Sequence, residues 1–388
     1  MPQLTVELET VTPLFLGGAE PRGSPPELRV ASLRGALRYW LRALLGGVGD
    51  GNLSTLKAAE NKVFGSTESG ASPIIFMLKH NSLNTKEFRK RRAIREDGQF
   101  KPEGADYLFW SMAETGRRER DNWQSARQYI MPGTKFTVTM KPRLGAAPHA
   151  SNAWWRAGAA LWLLAQLGAL GSRSRRGAGS ICVADEPEQL DLPPFKPPAT
   201  TRALQSQLKD GLGQIRKSIV TTGKPRTPPR FDVLAPGTCR IWVLGDRQPW
   251  STWQQALDSI GGRMRDFRNR RRPDYDTMRD WMRHGATPTT VERAAFGLPL
   301  PFRYSRRGPF DVVQGSQHDR RSSPLWLRVT KLTNGRYIGV ATLFKSVFLA
   351  ERESLQLQRA RRTTAPPADY SLIEQFIAGF PVHMEVKL

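Results

Sequence analysis

The sequence predicts an α+β protein that contains two ferredoxin-like β-α-β-β-α-β domains with basic insertions. Three observations lead to this prediction. Short segments with apolar residues at every second position predict strands, and longer segments with apolar residues three and four positions apart predict helices. Both halves of the 388 residues show the same order of strand, helix, strands, helix and strand. A proline-rich stretch at residues 186–201 separates the halves.

The first half, residues 1–190, contains the elements of one such domain. Residues 4–10 alternate apolar and polar side chains and predict its first strand. A helix is predicted from about Ser32, as N-cap, to Leu45, and the pair Gly46–Gly47 ends it. The further elements predicted here are a helix at 54–65, strands at 72–79, 106–112 and 135–142, a helix at 152–170 and a strand at 180–184.

The second half is the domain of residues 236–388, which follows a proline-rich crossing assigned to residues 191–235. Its strongest pattern is a β-hairpin at 324–348, because Asn334–Gly335 is a favoured turn dipeptide between two apolar segments. The other elements predicted here are a strand at 238–245, a helix at 251–271 interrupted at Gly261–Gly262, a helix at 369–380 and a strand at 382–388. Two basic stretches, 80–105 and 263–283, are interpreted as insertions. The first is expected to be mobile.

The charge balance indicates a polyanionic partner. The chain has 59 lysines and arginines against 35 acidic residues, which gives a formal net charge of +24. Arginine is suited to bidentate phosphate contacts and to stacking on bases. Nucleic acid is therefore the first candidate partner and an anionic membrane the second. The remaining alternative is that the arginines are ordinary surface cations.

The composition predicts neither a membrane span nor a metal site or cofactor. The longest apolar run, residues 157–170, is too short to cross a bilayer and contains Gln166, so a buried helix is expected. Cys182 and Cys239 lie far apart and match no zinc spacing. The first residues lack the basic and apolar segments of a signal peptide. We therefore expect a soluble, cytoplasmic protein.

Three arginines form a stripe on the first predicted helix. Arg34, Arg38 and Arg42 follow one another at a spacing of four and therefore share one face. Like charges at this spacing repel each other, and no acidic residue lies between Glu27 and Asp50 to balance them. The stripe indicates an anion-binding face, and an ordinary solvated face is the alternative.

The loop GSRSRRGAGS, residues 171–180, directly follows the second long apolar helix. Its three glycines and three arginines are Gly171, Gly177 and Gly179, and Arg173, Arg175 and Arg176. Glycine lets backbone N–H groups approach an anion, and arginine adds forked donors. The loop is neither a Walker A motif nor a dinucleotide fingerprint. We interpret it as a mobile anion clamp with three exposed cations, whose replacement by alanine would weaken RNA binding and spare the fold. A glycine-rich turn with incidental charge is the alternative.

Several segments resemble a known protein family. The spacing Gly171-x5-Gly177-Ala178-Gly179 is similar to the glycine-rich loop of the RAMP superfamily of CRISPR RNA-binding proteins, although Ala169 stands where the fuller pattern has glycine. The segment LRVASLRGALRYWLRALLG resembles the N-terminal signature of the first subunit of the Cmr (type III-B) effector complex. The other segments that resemble this subunit are 58–76, 295–304 and 320–329.

The resemblance implies two ferredoxin-like domains without catalysis of their own. Members of the family join a ribonucleoprotein near the 3′ end of the CRISPR RNA, together with other Cmr subunits, and help to engage complementary target RNA. The residues that this likeness assigns to an RNA groove are Arg29, Arg34, Arg38, Trp40, Arg42, the glycines and arginines of the 171–180 loop, and Arg320 and Arg321. Trp40 is expected either to stack on a base or to lie in the core.

Two other functions are considered. Some RAMP relatives are metal-independent endoribonucleases that process CRISPR transcripts, which requires a general acid and a general base. Of the five histidines, His318 is the candidate because it precedes Asp319 and Arg320. The others are His80, His149, His284 and His383. The third possibility is a general basic scaffold, such as a ribosome-associated protein.

Overall fold

A computed structural model describes residues 3–18, 20–90, 103–116, 123–145, 150–185, 191–220, 223–270, 272–304 and 310–388. The helices are α1 (Val30–Gly46), α2 (Leu53–Phe64), α3 (Gly104–Leu108), α4 (Ala150–Leu167), α5 (Thr201–Lys217), α6 (Trp253–Arg270), α7 (Arg272–His284) and α8 (Ser371–Ala378). The strands are β1 (Leu4–Thr10), β2 (Gly65–Ser66), β3 (Gly70–Ala71), β4 (Ile74–His80), β5 (Thr85–Glu87), β6 (Gln128–Ile130), β7 (Lys135–Pro142), β8 (Ile181–Val183), β9 (Cys239–Gly245), β10 (Leu300–Arg303), β11 (Phe310–Gly315), β12 (Leu325–Lys331), β13 (Tyr337–Phe344), β14 (Leu355–Leu357), β15 (Thr363–Thr364) and β16 (Val382–Val386).

The first half is organised around an antiparallel sheet in the order β4-β7-β1-β8. Along β1, Leu4, Val6 and Leu8 are buried in the core that also contains the apolar faces of α1 and α4. The intervening Thr5 and Glu7 are exposed or half-buried. This alternation follows from the pleat of the strand, so the strand predicted at residues 4–10 is confirmed.

The second half contains an antiparallel sheet in the order β12-β13-β9-β16, and both of its faces are covered. On β9, Ile241 and Val243 belong to the core shared with the first half, whereas Trp242 and Leu244 belong to a second core with α6 and α8. The hairpin β12–β13 turns at Asn334–Gly335 as predicted. The sheet therefore offers no open face to a ligand.

Two parts of the fold were absent from the sequence prediction. The crossing at 191–235 contains α5, whose Leu204, Leu208 and Leu212 are fully buried in the shared core. A further antiparallel sheet, in the order β10-β11-β14-β15, packs in the second half. The core that contains α5 extends across both halves of the chain, and the second core contains β10, β11 and β14.

Three predicted elements are wrong in detail. Residues 106–112 form the end of α3 and a 3-10 turn instead of a strand. Helix α6 runs without interruption through Gly261–Gly262. A Cβ on Gly261 would lie 2.0 Å from the carbonyl oxygen of Gly104, so a larger residue would not fit there. These glycines thus permit close contact between α3 and α6. Helix α1 begins at Val30 rather than after Ser32, and it ends at Gly46–Gly47 as predicted.

The two basic stretches have different outcomes. Residues 91–102 of the first lie outside the described residues, while β5, at its start, pairs with β6. Of the second stretch, residues 263–270 form the end of α6 and residues 272–283 form most of α7. None of the described helices combines the length and the apolar composition that a membrane span requires.

The contact between α3 and α6 generates a first prediction. Gly261→Ala should lower the free energy of unfolding by about 1–3 kcal/mol, because the added methyl group meets backbone that cannot rotate away. Gly213→Ala on α5 is the matched control, since its Cβ would meet nothing within 4 Å and should stabilise the protein by about 0.5–1 kcal/mol. Urea denaturation measures both, and equal effects would refute the assigned contact.

Candidate nucleic-acid interface

The glycines of the 171–180 loop occupy backbone positions that other residues rarely adopt. The φ angles of Gly171, Gly177 and Gly179 are +76°, +86° and +65°. A Cβ on Gly179 would lie 1.9 Å from the carbonyl oxygen of Leu170, and one on Gly171 would lie 2.4 Å from that of Phe15. Glycine is therefore required at these positions, because the backbone adopts positive φ and the loop packs closely against its surroundings.

The three arginines of this loop are not exposed cations, and the interpretation as a mobile clamp is wrong. Arg173 Nε donates to the carbonyl of Leu108 at 2.8 Å, and Arg176 Nη2 to that of Phe296 at 2.8 Å. Burial, with the neighbouring charge of Arg173, lowers the pKa of Arg176 to about 9. Arg173 thus holds the loop against α3 within the first half, whereas Arg176 joins the loop to the second half.

Arg175 contributes to a polar network centred on Asp232. Its guanidinium donates to the carbonyl of Ser323 at 2.5 Å, pairs with Asp232 Oδ2 at 3.1 Å and lies 4.8 Å from the ring centroid of Trp326. The Tyr39 hydroxyl also donates to Asp232 Oδ2, at 2.8 Å. Burial and the Asp232 charge raise the pKa of Tyr39 well above its usual value. Asp232 thereby connects the loop to α1.

A cleft of about 1120 Å³ opens beside this network, between the two halves. Its walls come from α1 and the start of α2, and from the segments 226–232, 318–321 and 346–353. The basic side chains of its lining are Arg42, Arg226, Arg230, His318, Arg320 and Arg321. Five guanidinium groups thus converge from parts of the chain that are far apart in sequence.

These arginines differ in how far the protein already uses them. Arg321 donates to the carbonyl of Phe348 and to Ser346 Oγ, both at 2.8 Å. Arg226, Arg230 and Arg320 are exposed, and their side chains make no hydrogen bond or ion pair with any described residue. Their donors are therefore available to a ligand.

Two of the three acidic groups in the cleft lining, Asp232 and Glu353, are held by hydrogen bonds from the protein, whereas Glu351 is exposed. The buried Glu353 carboxylate accepts from the N–H groups of His318 at 2.7 Å, Gln317 at 3.1 Å and Ala350 at 3.3 Å. Burial opposes ionisation, but these bonds and the His318 ring at 3.2 Å lower the pKa of Glu353. Asp232 is engaged by Arg175 and Tyr39. Five arginines stand against these three carboxylates in the lining, so the net charge of the cleft is positive.

The cleft also has apolar surface on which a base could stack. Phe231 and Phe348 line it, and Leu53 at the start of α2 leaves 56% of its surface exposed. Aromatic and apolar side chains beside a positive groove are typical of proteins that bind single-stranded nucleic acid.

Several residues assigned to RNA by resemblance lie elsewhere. Trp40 is completely buried between Tyr39, Trp326 and Phe344, so the core alternative is correct and no face of its ring is free for a base. Arg29 pairs with Glu27 at 3.7 Å and lies outside the lining of the cleft.

The charges of the α1 stripe are balanced from another helix. Glu60 of α2 pairs with Arg38 at 2.5 Å and with Arg42 at 3.1 Å, and Arg34 donates to the carbonyl of Phe64. The stripe thus makes the α1–α2 contact and is not simply a solvated face. Of its three members, Arg42 reaches the cleft.

The comparisons with known proteins agree with this fold. Residues 7–182 match the family model of the RAMP superfamily. The chain is 31% identical over 188 residues to the CRISPR system Cmr subunit Cmr1-2 of Pyrococcus furiosus, covering 46% of this chain and 92% of the relative. The chain belongs to the Cmr1 family. A second relative, Cmr1-1 of the same organism, is 27% identical over 353 residues, which are 90% of this chain and 89% of that protein.

Solved structures show the same Cmr1 fold. Apo Cmr1 from Pyrococcus furiosus superposes with a TM-score of 0.62 at 22% identity, covering 100% of this chain and 99% of that one. A chain of the type III-B Cmr-beta complex bound to cognate target RNA gives a TM-score of 0.52 at 13% identity, covering 88% and 94%. The resemblance found in the sequence is confirmed at the level of the family and its fold.

Sequence reasoning on this Cmr1-family chain missed Arg226 and Arg230. Both lie in the segment treated as a crossing, where proline density suggested a linker. The run KPRTPPR at 224–230 carries the missing signal, because it is rich in cations within an otherwise rigid, proline-rich stretch. Arg320 and Arg321, which the resemblance assigned to an RNA groove, line this cleft, and their contact with RNA stays a prediction.

The two sets of arginines should differ in their effect on stability. Replacing Arg173, Arg175 and Arg176 with alanine should cost about 2 kcal/mol of unfolding free energy per site, because buried carbonyls and Asp232 lose their donors. Replacing Arg226, Arg230 and Arg320 should change it by less than about 0.5 kcal/mol per site. Thermal denaturation compares the triple variants, and a loop variant as stable as wild type would contradict the structural role.

Proposed function

We propose that the protein is an RNA-binding, non-catalytic subunit of a type III-B CRISPR (Cmr) ribonucleoprotein in the cytoplasm. Its partners would be CRISPR RNA, complementary target RNA and the other Cmr subunits. Family likeness supports a position near the 3′ end of the CRISPR RNA, where it helps to capture target RNA for antiviral defence. The observation that carries the proposal is the cleft with three arginines that have no side-chain partner among the described residues, in a chain of the Cmr1 family.

The chemistry of the cleft supports single-stranded RNA as the ligand. The guanidinium groups of Arg226, Arg230 and Arg320 each present forked donors that match phosphate oxygens. The apolar surface around Phe231 and Leu53 suits unstacked bases. A solved relative of the same fold comes from a Cmr complex bound to cognate target RNA, which is consistent with this ligand.

We further propose that residues 1–190 and 236–388 are two ferredoxin-like domains and that 191–235 connects them. Both principal sheets arrange their strands in the order second, third, first, fourth along the chain, and all neighbours are antiparallel. In each half, helices lie between the first and second strands and between the third and fourth strands. This is the arrangement of a β-α-β-β-α-β unit.

The cleft arginines provide the direct test. The triple variant Arg226→Ala, Arg230→Ala, Arg320→Ala should bind single-stranded RNA at least about 100-fold more weakly, because three charge-assisted phosphate contacts are lost. The slope of log affinity against log salt should become less steep by about 2, at about 0.7 per phosphate contact. Fluorescence anisotropy at several salt concentrations measures both quantities.

A charge-matched variant controls for net charge alone. Arg202, Lys209 and Arg247 are exposed, make no described side-chain contact and lie outside the cleft lining. Their triple alanine variant removes the same charge and should retain most of the affinity. Equal losses in the two variants would indicate diffuse attraction and would remove the cleft as the binding site.

The alternative function, a metal-independent endoribonuclease, rests on the contact of His318 with Glu353 inside the cleft. General acid–base cleavage needs two groups that exchange protons, and His318 is the only histidine in the cleft lining described. Tyr39, the tyrosine of that lining, is buried and donates to Asp232, which makes it a poor acid or base. The binding function is therefore the better supported.

Prolonged incubation with labelled single-stranded RNA separates these two functions. We expect no defined cleavage products from the purified protein, because the Glu353 carboxylate beside His318 is held by three main-chain N–H groups that lower its pKa and make it a weak base. The His318→Ala variant is the control for contaminating nucleases, whose products would persist in it. Defined products that disappear in this variant would establish the endoribonuclease instead.

A further inference from the structure

A second pocket, of about 610 Å³, lies between α1, the β2–β3 hairpin and β4. It shares no lining residue with the cleft. Three guanidinium groups line it, those of Arg34, Arg38 and Arg143, together with the polar side chains of Ser66 and Thr67. This pocket is a separate site with its own set of donors.

The positive charge of this pocket is only partly neutralised. Glu60 pairs with Arg38 and shares its other oxygen with Arg42, whereas Arg143 Nε donates to the carbonyl of Ser72 at 3.0 Å. Arg34 likewise donates to a main-chain carbonyl, and its buried Nε has no hydrogen-bond partner among the described residues. Neither Arg34 nor Arg143 is paired with a described carboxylate.

The arginines of the pocket also repel one another. Burial lowers the pKa of Arg34, and the charges of Arg38 and Arg143 lower it further. The acidic residue of the hairpin, Glu68, pairs with Lys57 at 3.4 Å. An anion in this pocket would therefore relieve the repulsion between the guanidinium groups.

The α1 stripe connects the pocket to the cleft. Arg42 lines the cleft, Arg38 and Arg34 line the pocket, and each step of four residues advances about 6 Å along the helix. Glu60 holds Arg38 and Arg42 in fixed positions between the two sites. A single strand that occupies the cleft can continue along this positive edge.

We propose that the Arg34–Arg38–Arg143 pocket binds a backbone phosphate of the RNA strand beyond the cleft. The proposal rests on the proposed RNA-binding function and adds a second phosphate site to it. Guanidinium donors and side-chain hydroxyls suit the tetrahedral oxygens of a phosphodiester. The site gives longer RNA a higher affinity than the cleft alone provides.

A series of single-stranded RNAs of about 4 to 16 nucleotides tests this proposal, since single-strand binding sites span this range. In the wild-type protein, affinity should rise once the strand reaches the pocket. Arg34→Gln and Arg143→Gln, made separately, should each lower the affinity for the longer RNAs about tenfold. The affinity for the shortest RNAs should stay unchanged. Each variant loses a guanidinium donor to a main-chain carbonyl, so a modest fall in melting temperature is expected, and the affinities are compared at a temperature at which both variants are folded. Lys79→Gln is the control, an exposed cation on β4 outside the pocket lining.

The outcomes distinguish this proposal from the proposed function. If wild-type protein binds no RNA, the proposed function fails and the second site fails with it. If RNA binds but both pocket variants retain the gain with length, the second site alone is wrong. Titration with inorganic phosphate tests whether the pocket binds a free phosphate ion instead of a phosphate of the RNA backbone. Stabilisation of wild type by phosphate that is lost in Arg34→Gln, with RNA binding unchanged, would mean that the pocket holds a free phosphate and would overturn the proposal.

Discussion

The arrangement of the two halves depends on guanidinium groups that are buried between them and donate to main-chain carbonyls. Arg328 is 1% exposed and donates to the carbonyls of Ala165 and Ile181, the latter at 2.7 Å. Arg176 donates in the same way to Phe296. Burying a charge is costly unless most of its donors find acceptors, so both halves must present these carbonyls in fixed positions, and only Nε of Arg328 has no partner among the described residues. Burial lowers the pKa of Arg328 to about 10, a sign of the desolvation that this arrangement accepts.

This constraint divides the arginines of the chain into two populations. The arginines of one population lie in the interior and donate hydrogen bonds to main-chain carbonyls. The other stands at the rim of the cleft, where Arg226, Arg230 and Arg320 are exposed and contact no described acceptor. The net charge of +24 therefore overstates the number of cations that are free to contact a polyanion. What a ligand meets is the remainder that the fold leaves unpaired.

The two populations meet at Asp232. Its carboxylate accepts from Tyr39 of α1 and from Ser346 Oγ at 3.1 Å, and it pairs with Arg175 of the glycine-rich loop. It lies two residues after Arg230, so the network beneath the cleft also fixes the segment that carries free cations. The glycine-rich loop thus supports the wall of the cleft through the contact of Arg175 with Asp232. Its glycines let the chain pass through a crowded space, and its arginines position the residues that face a ligand.

The sequence by itself determined the features that depend on neighbouring residues. Period-two alternation predicted β1, Asn334–Gly335 predicted the β12–β13 turn, and the glycine spacing with the segments that resemble known proteins predicted the family. Only the tertiary structure decided which arginines are free. The acceptor of Arg176 lies 120 positions away along the chain, and Glu60, which balances Arg38, lies on a different helix. The partner of a guanidinium group is set by packing between distant segments, and no local pattern of residues records it.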